Sequence, residues 1–149
     1  MIFLTHLCFA LLLGLGLLKL TSFSIPLPIF LGTVGVSSLL PDIDTATSLI
    51  GSKVKVVSLF FAHRGFFHSI ACMVLAAILI FCLTKNPDYA FAFLIGYGSH
   101  LAIDSLNKKG IALFWPAKIM IKGRFKARGL MDMAIFIGSN LLIFLVIKP

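Results

Sequence analysis

Seven consecutive residues carry the densest polar chemistry in the chain, His63-Arg64-Gly65-Phe66-Phe67-His68-Ser69. Two of the four histidines lie in this stretch. Histidines five residues apart do not share a face of a continuous helix, but a turn at Gly65 would bring both imidazoles to one point. Imidazole nitrogens bind metals, and a guanidinium binds phosphate with two parallel hydrogen bonds. The stretch therefore indicates either a metal or phosphate site or a polar turn whose arginine anchors at a membrane surface.

Two further pairs of residues could bind a cation. Asp42 and Asp44 follow Pro41 at the end of an apolar run, and in extended backbone their side chains would project to the same side. His100 and Asp104 are four residues apart within another apolar run, which places both on one face of a helix. The alternatives are a helix-capping turn for the aspartates and a simple hydrogen bond for the second pair.

The composition around these residues is that of a membrane protein. Of 149 residues, 60% are hydrophobic and 12% are charged, and the mean hydropathy is +1.09; soluble domains carry about 25% charged residues. We therefore predict a single integral membrane domain over residues 1–149. The net charge of +8 favours loops beside anionic lipid, and no nucleic-acid partner is expected.

Five apolar runs predict an all-α fold, a polytopic bundle of four or five transmembrane helices. The second run is short and needs tilting to cross a bilayer. Residues 45–62 predict an amphipathic segment that lies on the membrane. The five runs are residues 2–18, 27–40, 66–83, 89–106 and 129–147.

If the five runs alternate in direction, nearly all of the ionisable chemistry falls on one membrane face. Ten of the thirteen Lys and Arg residues fall there too, which makes this face cytoplasmic by the positive-inside rule. Converging His and Asp residues without a thiolate suit zinc, manganese or iron. This face would hold His6, Asp42, Asp44, His63, His68, His100, Asp104 and Asp132.

An ordered set of motifs covers residues 5 to 116. These motifs are Thr5-His6, Leu39-Leu40-Pro41-Asp42-Ile43-Asp44, His63-Arg64-Gly65-Phe66, His68-Ser69, Gly96-Tyr97, Ser99-His100, Asp104, Gly110 and Trp115-Pro116. The set resembles the YdjM-like family of inner-membrane, metal-dependent hydrolases, often described as LexA-regulated. The family is in turn distantly similar to zinc-dependent phospholipases C and P1-type nucleases. The resemblance implies a His and Asp metal site for phosphoester hydrolysis, although Phe67 stands where the family commonly has Thr.

Together these observations predict a multi-pass hydrolase of the bacterial inner membrane whose active face is cytoplasmic. Its substrate would be a phospholipid or a lipid-linked phosphate, and its cofactor one to three divalent transition-metal ions, zinc before manganese or iron. Arg64 would hold the phosphate, and Asp44 would either bind metal or orient a ligand. The predicted metal ligands are His6, Asp42, His63, His68, His100 and Asp104.

Two other classes of function remain open on the sequence. A metal transporter or sensor would use the same ligands without hydrolysis, but no polar residues continue along the runs towards the opposite face. A structural or partner-binding membrane protein would use the polar cluster only to tie helices together. Eight ionisable groups on one face exceed what such a scaffold needs.

Overall fold

The computed structural model describes residues 3–44, 65–117, 119–127 and 129–148, with Asp44 described for its backbone alone. The predicted amphipathic segment at residues 45–62 lies outside this part of the chain. The described residues form five α-helices, which are α1 (Phe3–Leu18), α2 (Leu27–Ser37), α3 (Ile70–Thr84), α4 (Pro87–Ser105) and α5 (Leu130–Ile147). Short 3₁₀ helices at Leu40–Asp44 and Phe66–His68 lie between α2 and α3.

The all-α prediction is confirmed for the described residues, which contain no strand beyond two isolated bridges. The predicted number of transmembrane helices is not confirmed. Within the described chain, α5 alone has both the length and the hydropathy to cross a bilayer, with a mean hydropathy of 2.2 over its 18 residues. The shorter helices α1, α2 and α3 are apolar, with 16, 11 and 15 residues. A bundle of four or five transmembrane helices therefore stays a prediction.

Helices α1 and α4 share the centre of the bundle, since α1 contacts α2, α4 and α5, and α4 contacts α1, α2 and α3. Phe30 and Val34 of α2 are buried with Ala10 of α1 and Ala92 of α4. A second buried cluster joins α3 and α4 through Cys72, Phe93 and Tyr97. Burying these side chains fixes how each helix is rotated about its axis, and thereby which polar residues face inward.

Gly96 allows α2 and α4 to approach closely. A Cβ atom at this position would collide with the hydroxyl of Ser37 and with the backbone carbonyl of Val34. Small residues at a helix contact allow such close backbone approach, both in membranes and in soluble bundles. The contact brings the end of α2, and the 3₁₀ helix that follows it, next to the second half of α4.

The segment between α4 and α5 folds back on itself. We call residues 106–127 of this segment the return loop. Ile111 and Ile121 exchange two backbone hydrogen bonds of 3.0 and 2.9 Å, and Lys108 N–H donates to the Phe125 carbonyl at 2.8 Å. Gly110 has a φ of +69°, a conformation that other residues rarely adopt. The return loop is therefore a defined structural element rather than a simple connection.

The return loop is also attached to the start of α3. Ile70 N–H donates to the carbonyl of Leu113 at 3.0 Å. The ring of Trp115 meets that of Phe66 edge to face, with centroids 5.0 Å apart and an interplanar angle of 76°. These contacts fix the return loop against the short helix that carries His68.

Candidate metal centre

Four separate segments supply the polar side chains that meet at one end of the bundle. His6 comes from the first turns of α1, and His100 and Asp104 from the last turns of α4, where a spacing of four puts them on one face. Asp42 lies in the 3₁₀ helix after α2, and His68 in the one before α3. Helices that alternate in direction bring these segment ends together.

The chain before α3 is fixed by a helix cap. The Ser69 hydroxyl accepts a hydrogen bond from Cys72 N–H at 3.2 Å and donates to the Phe66 carbonyl at 2.6 Å. Capping satisfies one of the free N–H groups at the start of α3. His68 is therefore held at the junction of the 3₁₀ helix and α3, and its side chain is fully buried.

The two carboxylates and three imidazoles face one another at short range. Nε2 of His6 lies 3.5 Å from Oδ1 of Asp104. Nε2 of His68 lies 3.6 Å from Oδ1 of Asp42 and 3.8 Å from Oδ2 of Asp104. Nε2 of His100 lies 3.8 Å from the same Asp42 oxygen and 4.0 Å from the same Asp104 oxygen. Both carboxylates are thus presented to imidazole nitrogens from more than one segment.

His100 is oriented by a backbone carbonyl. Its Nδ1 lies 2.7 Å from the carbonyl oxygen of Ser38, so Nδ1 carries the proton and donates, and Nε2 keeps a lone pair directed at the carboxylates. The imidazole of His6 stacks on that of His100, with centroids 3.9 Å apart and an interplanar angle of 13°. A backbone acceptor on the outer nitrogen is the usual support of a metal-binding histidine.

The donor atoms form two overlapping groups of three. His6, His100 and Asp104 make one, and Asp42, His68 and His100 make the other; within each, the ligand atoms lie within 4.8 Å of one another. Ligands about 2.0–2.1 Å from a tetrahedral ion are about 3.3 Å apart, so a small contraction would close either group on a metal. The donor set of nitrogen and carboxylate oxygen suits zinc, manganese or iron.

Burial separates these groups from water except at one point. His6, His68, His100 and Asp104 are almost completely buried, whereas the side chain of Asp42 is 30% exposed. Burial alone would raise the pKa of the Asp42 carboxyl, but its hydrogen bond to His68 and the nearby imidazoles of His100 and His6 hold that pKa below its usual range. Asp42 is therefore anionic at neutral pH and marks where solvent reaches the site.

The structure brings together five of the eight residues that the sequence placed on this face. His63 and Arg64 lie outside the described residues, and nothing is described of the Asp44 side chain. Asp132 is buried at the start of α5, but in neither group of three; it borders a cavity between α1 and α5. The predictions for Arg64 and Asp44 as functional residues and for His63 as a ligand stay predictions.

A cavity of about 480 Å³ lies between α1 and α5, and none of the five residues that meet at the end of the bundle lines it. Thr5, which precedes His6 in α1, forms part of its wall. The cavity adjoins α5, the helix with the length and hydropathy of a membrane span. Its lining is Leu4, Thr5, Gly129, Leu130, Asp132, Met133 and Phe136.

Sequence reasoning missed two features that position the centre. The Ser38 carbonyl, which orients His100, is a backbone group and leaves no signal in the sequence. The contact of Gly96 with α2 depends on how the two helices are rotated, although a glycine in the same helix as His100 and Asp104 was visible.

Comparison with known proteins identifies the family. Residues 1–147 match the family model described as YdjM inner membrane protein. The chain belongs to the YdjM family. Among its relatives, the uncharacterized protein YvsG of Bacillus subtilis (strain 168) is 33% identical over 100 residues, which is 64% of this chain and 62% of YvsG.

Proteins named inner membrane protein YdjM are also similar. The one from Escherichia coli (strain K12) and the one from Shigella flexneri are each 34% identical over 94 residues, covering 56% of this chain and 47% of the relative. The alignments thus span 62% of YvsG and about half of the YdjM proteins. No solved structure matches the chain. The family supports a location in the inner membrane, and the number of crossings and the cytoplasmic face of the centre stay predictions.

Proposed function

We propose that this YdjM family member is a membrane-bound, metal-dependent phosphoester hydrolase. The observation that carries the proposal is the convergence of three imidazoles and two carboxylates from four segments at 3.5–4.0 Å. Buried carboxylates and imidazoles that serve only to hold helices together would be a costly scaffold, because burying ionisable groups is unfavourable unless they are paired or coordinate a metal.

The donor set would hold one or two divalent ions. His100 belongs to both groups of three and, because its Nδ1 donates to the Ser38 carbonyl, would hold an ion through Nε2. Asp104 directs one oxygen to His6 and the other to His68 and His100, so its carboxylate would help to hold an ion together with these histidines. When bound, a divalent metal supplies Lewis acidity and lowers the pKa of water from 15.7 towards about 7.

The residues of the chain would then position the substrate. Asp42 lies where the centre reaches solvent, so a phosphate would approach on that side. Arg64, four residues before His68, would hold two phosphate oxygens with its planar guanidinium and meet the negative charge that develops during hydrolysis. Asp44 would act as a further ligand or orient one.

A phospholipid or a lipid-linked phosphate is the substrate class that the surroundings favour. The centre lies at the end of an apolar bundle in an inner membrane family, and Thr5, the neighbour of His6 in α1, lines the cavity of about 480 Å³. This volume falls within the usual range for small-molecule sites, about 300–1,000 Å³. The exposed side chains Leu130 and Met133 at its edge suit a hydrocarbon chain.

A metal transporter using the same ligands is less well supported. Transport would need polar groups along a route from the centre to the opposite end of the bundle. In the described residues, the buried side chains that α1, α2 and α4 place along this direction are apolar, namely Ala10, Phe30, Val34 and Ala92.

The proposal is tested with detergent-purified protein loaded with zinc or manganese and a panel of phosphomonoesters, phosphodiesters and phospholipids. We expect cleavage of at least one lipid substrate by the wild type. Arg64→Lys keeps the charge but loses the planar fork, so it should lower turnover about 10-fold or more with metal content near normal. Asp104→Asn should lower both activity and metal content.

The matched control is Asp88→Asn, which changes an aspartate at the opposite end of the bundle and should leave both quantities unchanged. If fully loaded wild-type protein cleaves no member of the panel, the hydrolase proposal is wrong. Normal turnover by Arg64→Lys would remove Arg64 from the mechanism.

A further inference from the structure

We propose that the return loop is a binding surface for the head groups of anionic phospholipids. The proposal is independent of hydrolysis, since it rests on residues other than those of the metal centre. It assigns the loop one partner, a bilayer that contains phosphatidylglycerol or a similar anionic lipid.

The charges of the return loop are all of one sign. The sequence contains no acidic residue between Asp104 and Asp132. Cationic side chains near a membrane attract anionic lipid, each contributing about 1 kcal/mol near the surface. The described and exposed cations of the loop are Lys108, Lys109, Lys122, Arg124 and Lys126.

Large apolar side chains are exposed on the same loop. Ile119 is 64% exposed and Trp115 is 43% exposed. Exposed apolar patches rimmed by polar residues mark protein or membrane interaction sites. Tryptophan in particular favours the head-group region of a bilayer, because its ring is apolar and its N–H is polar. The exposed apolar side chains are Leu106, Phe114, Trp115, Ile119, Met120 and Phe125.

The fold holds these side chains in their exposed positions. The paired backbones of Ile111 and Ile121 close the loop, and Ile111 is completely buried. At Gly123 a Cβ atom would collide with the backbone of Leu106, so the two arms of the loop are in close contact. The apolar and cationic side chains are therefore presented together on a fixed scaffold.

A lipid surface fits this combination better than a soluble acidic partner. The chain belongs to an inner membrane family, so a bilayer is already adjacent to the bundle. Anionic head groups would match the cations, and the acyl region would accept the exposed apolar side chains. Because Trp115 contacts Phe66, the bound lipid would lie beside the segment that carries His68.

The chain contains a single tryptophan, so its fluorescence reports on this loop alone. Protein is reconstituted into phosphatidylcholine vesicles with a minor fraction of phosphatidylglycerol, and one or the other lipid carries brominated acyl chains. We expect brominated phosphatidylglycerol to quench Trp115 more strongly than brominated phosphatidylcholine at the same mole fraction. Added salt should weaken the preference, because it screens the charges.

Two triple variants test the charges. Lys122→Gln, Arg124→Gln and Lys126→Gln together should abolish most of the preference, since each removed charge lowers it about fivefold. The control changes Lys19, Lys85 and Lys148, at the opposite end, to Gln and should keep the preference. Circular dichroism checks that both variants remain folded.

Equal quenching by the two lipids in the wild type, or an unchanged preference in the loop variant, would overturn the proposal. Absence of quenching by either lipid would mean that the loop faces a soluble partner, and would overturn it as well. None of these outcomes depends on bound metal or on phosphoester cleavage, so they leave the proposed function untouched.

Discussion

Both ends of the bundle collect polar side chains, but they hold them in different ways. At one end, Ser24 Oγ donates to Asp88 at 2.6 Å, and Asn86 donates to Ser24 Oγ at 3.0 Å. These are surface contacts of ordinary hydrogen-bond length that join two helix connections. They explain the presence of every group involved without any ligand.

At the other end, the polar groups are buried and come from four segments of the chain. Their imidazole nitrogens and carboxylate oxygens face one another at 3.5–4.0 Å. Burying ionisable groups is unfavourable unless they are paired or coordinate a metal. The same residue types therefore form a surface tie at one end, whereas at the other end they are gathered in the buried cluster that we propose as a metal centre.

The largest loss of bound metal is expected when His100, the residue common to both groups of three, is removed. His100→Ala takes a donor from both groups of three and should lower bound metal at least tenfold, whereas His6→Ala removes a donor from one group and should leave a measurable fraction. Elemental analysis of detergent-purified protein measures both. Asp88→Asn serves as the control at the opposite end. Equal metal content in His100→Ala and the wild type would contradict the assignment of the centre.

Metal removal gives a second measurement of the same centre. Ligands that bind only the folded state stabilise it, by about 2.7 kcal/mol at 100 times the dissociation constant. A chelator should therefore lower the unfolding temperature of the wild type by about 5–10 °C. His100→Ala should show no such shift. A chelator-insensitive wild type that contains metal would place that metal elsewhere in the chain.

The two ends should also lie on opposite sides of the membrane. The ten-to-three distribution of basic residues predicts that the metal centre is cytoplasmic and that Lys85 is periplasmic. Reporter fusions after Lys85 and after Lys148 should both read periplasmic, and one after Lys126 cytoplasmic. A cytoplasmic reading at Lys85 would contradict the prediction that the two ends of the bundle lie on opposite sides of the membrane. A cytoplasmic reading at Lys148 alone would remove one predicted crossing.

A smaller effect is expected from the helix contact that supports the centre. Gly96→Ala places a methyl group against Ser37 and the Val34 carbonyl and should destabilise the protein by about 1–3 kcal/mol. Moving α2 would also displace the Ser38 carbonyl from His100, so metal affinity should fall. Gly32→Ala is the matched control, because its Cβ meets nothing within 4 Å. If both variants unfold at the wild-type temperature, the close contact does not position the centre.

The smallest effect belongs to the exposed end. Ser24→Ala removes two surface hydrogen bonds, the one that its hydroxyl donates to Asp88 and the one that it accepts from Asn86. Exposed bonds contribute little, so the midpoint of thermal unfolding should fall by about 2–4 °C, the size expected for about 1 kcal/mol in a chain of this length. Metal content should not change. Loss of metal in this variant would show that the two ends are coupled, which would contradict the view that the surface hydrogen bonds play no part in metal binding.

The sequence by itself determined where polar residues fall relative to the helices. Apolar runs with polar residues at their ends are a local pattern, and the alternation of helix direction follows from chain connectivity. The sequence alone therefore predicted that one end of the bundle holds His6, Asp42, His68, His100 and Asp104. The spacing of His100 and Asp104 predicted their common face for the same reason. The apolar pattern did not decide membrane crossing, because three of the apolar helices are shorter than a span.

Only the tertiary structure decided how these residues meet. The stacking of His6 on His100 and the approach of Asp42 to His68 depend on how the helices are rotated about their axes. That rotation is set by packing around Phe30, Val34 and Gly96. The carbonyl of Ser38, which directs Nε2 of His100 towards the carboxylates, is a backbone atom that every residue type carries. Such contacts join residues far apart in the chain through geometry, and no residue pattern encodes them.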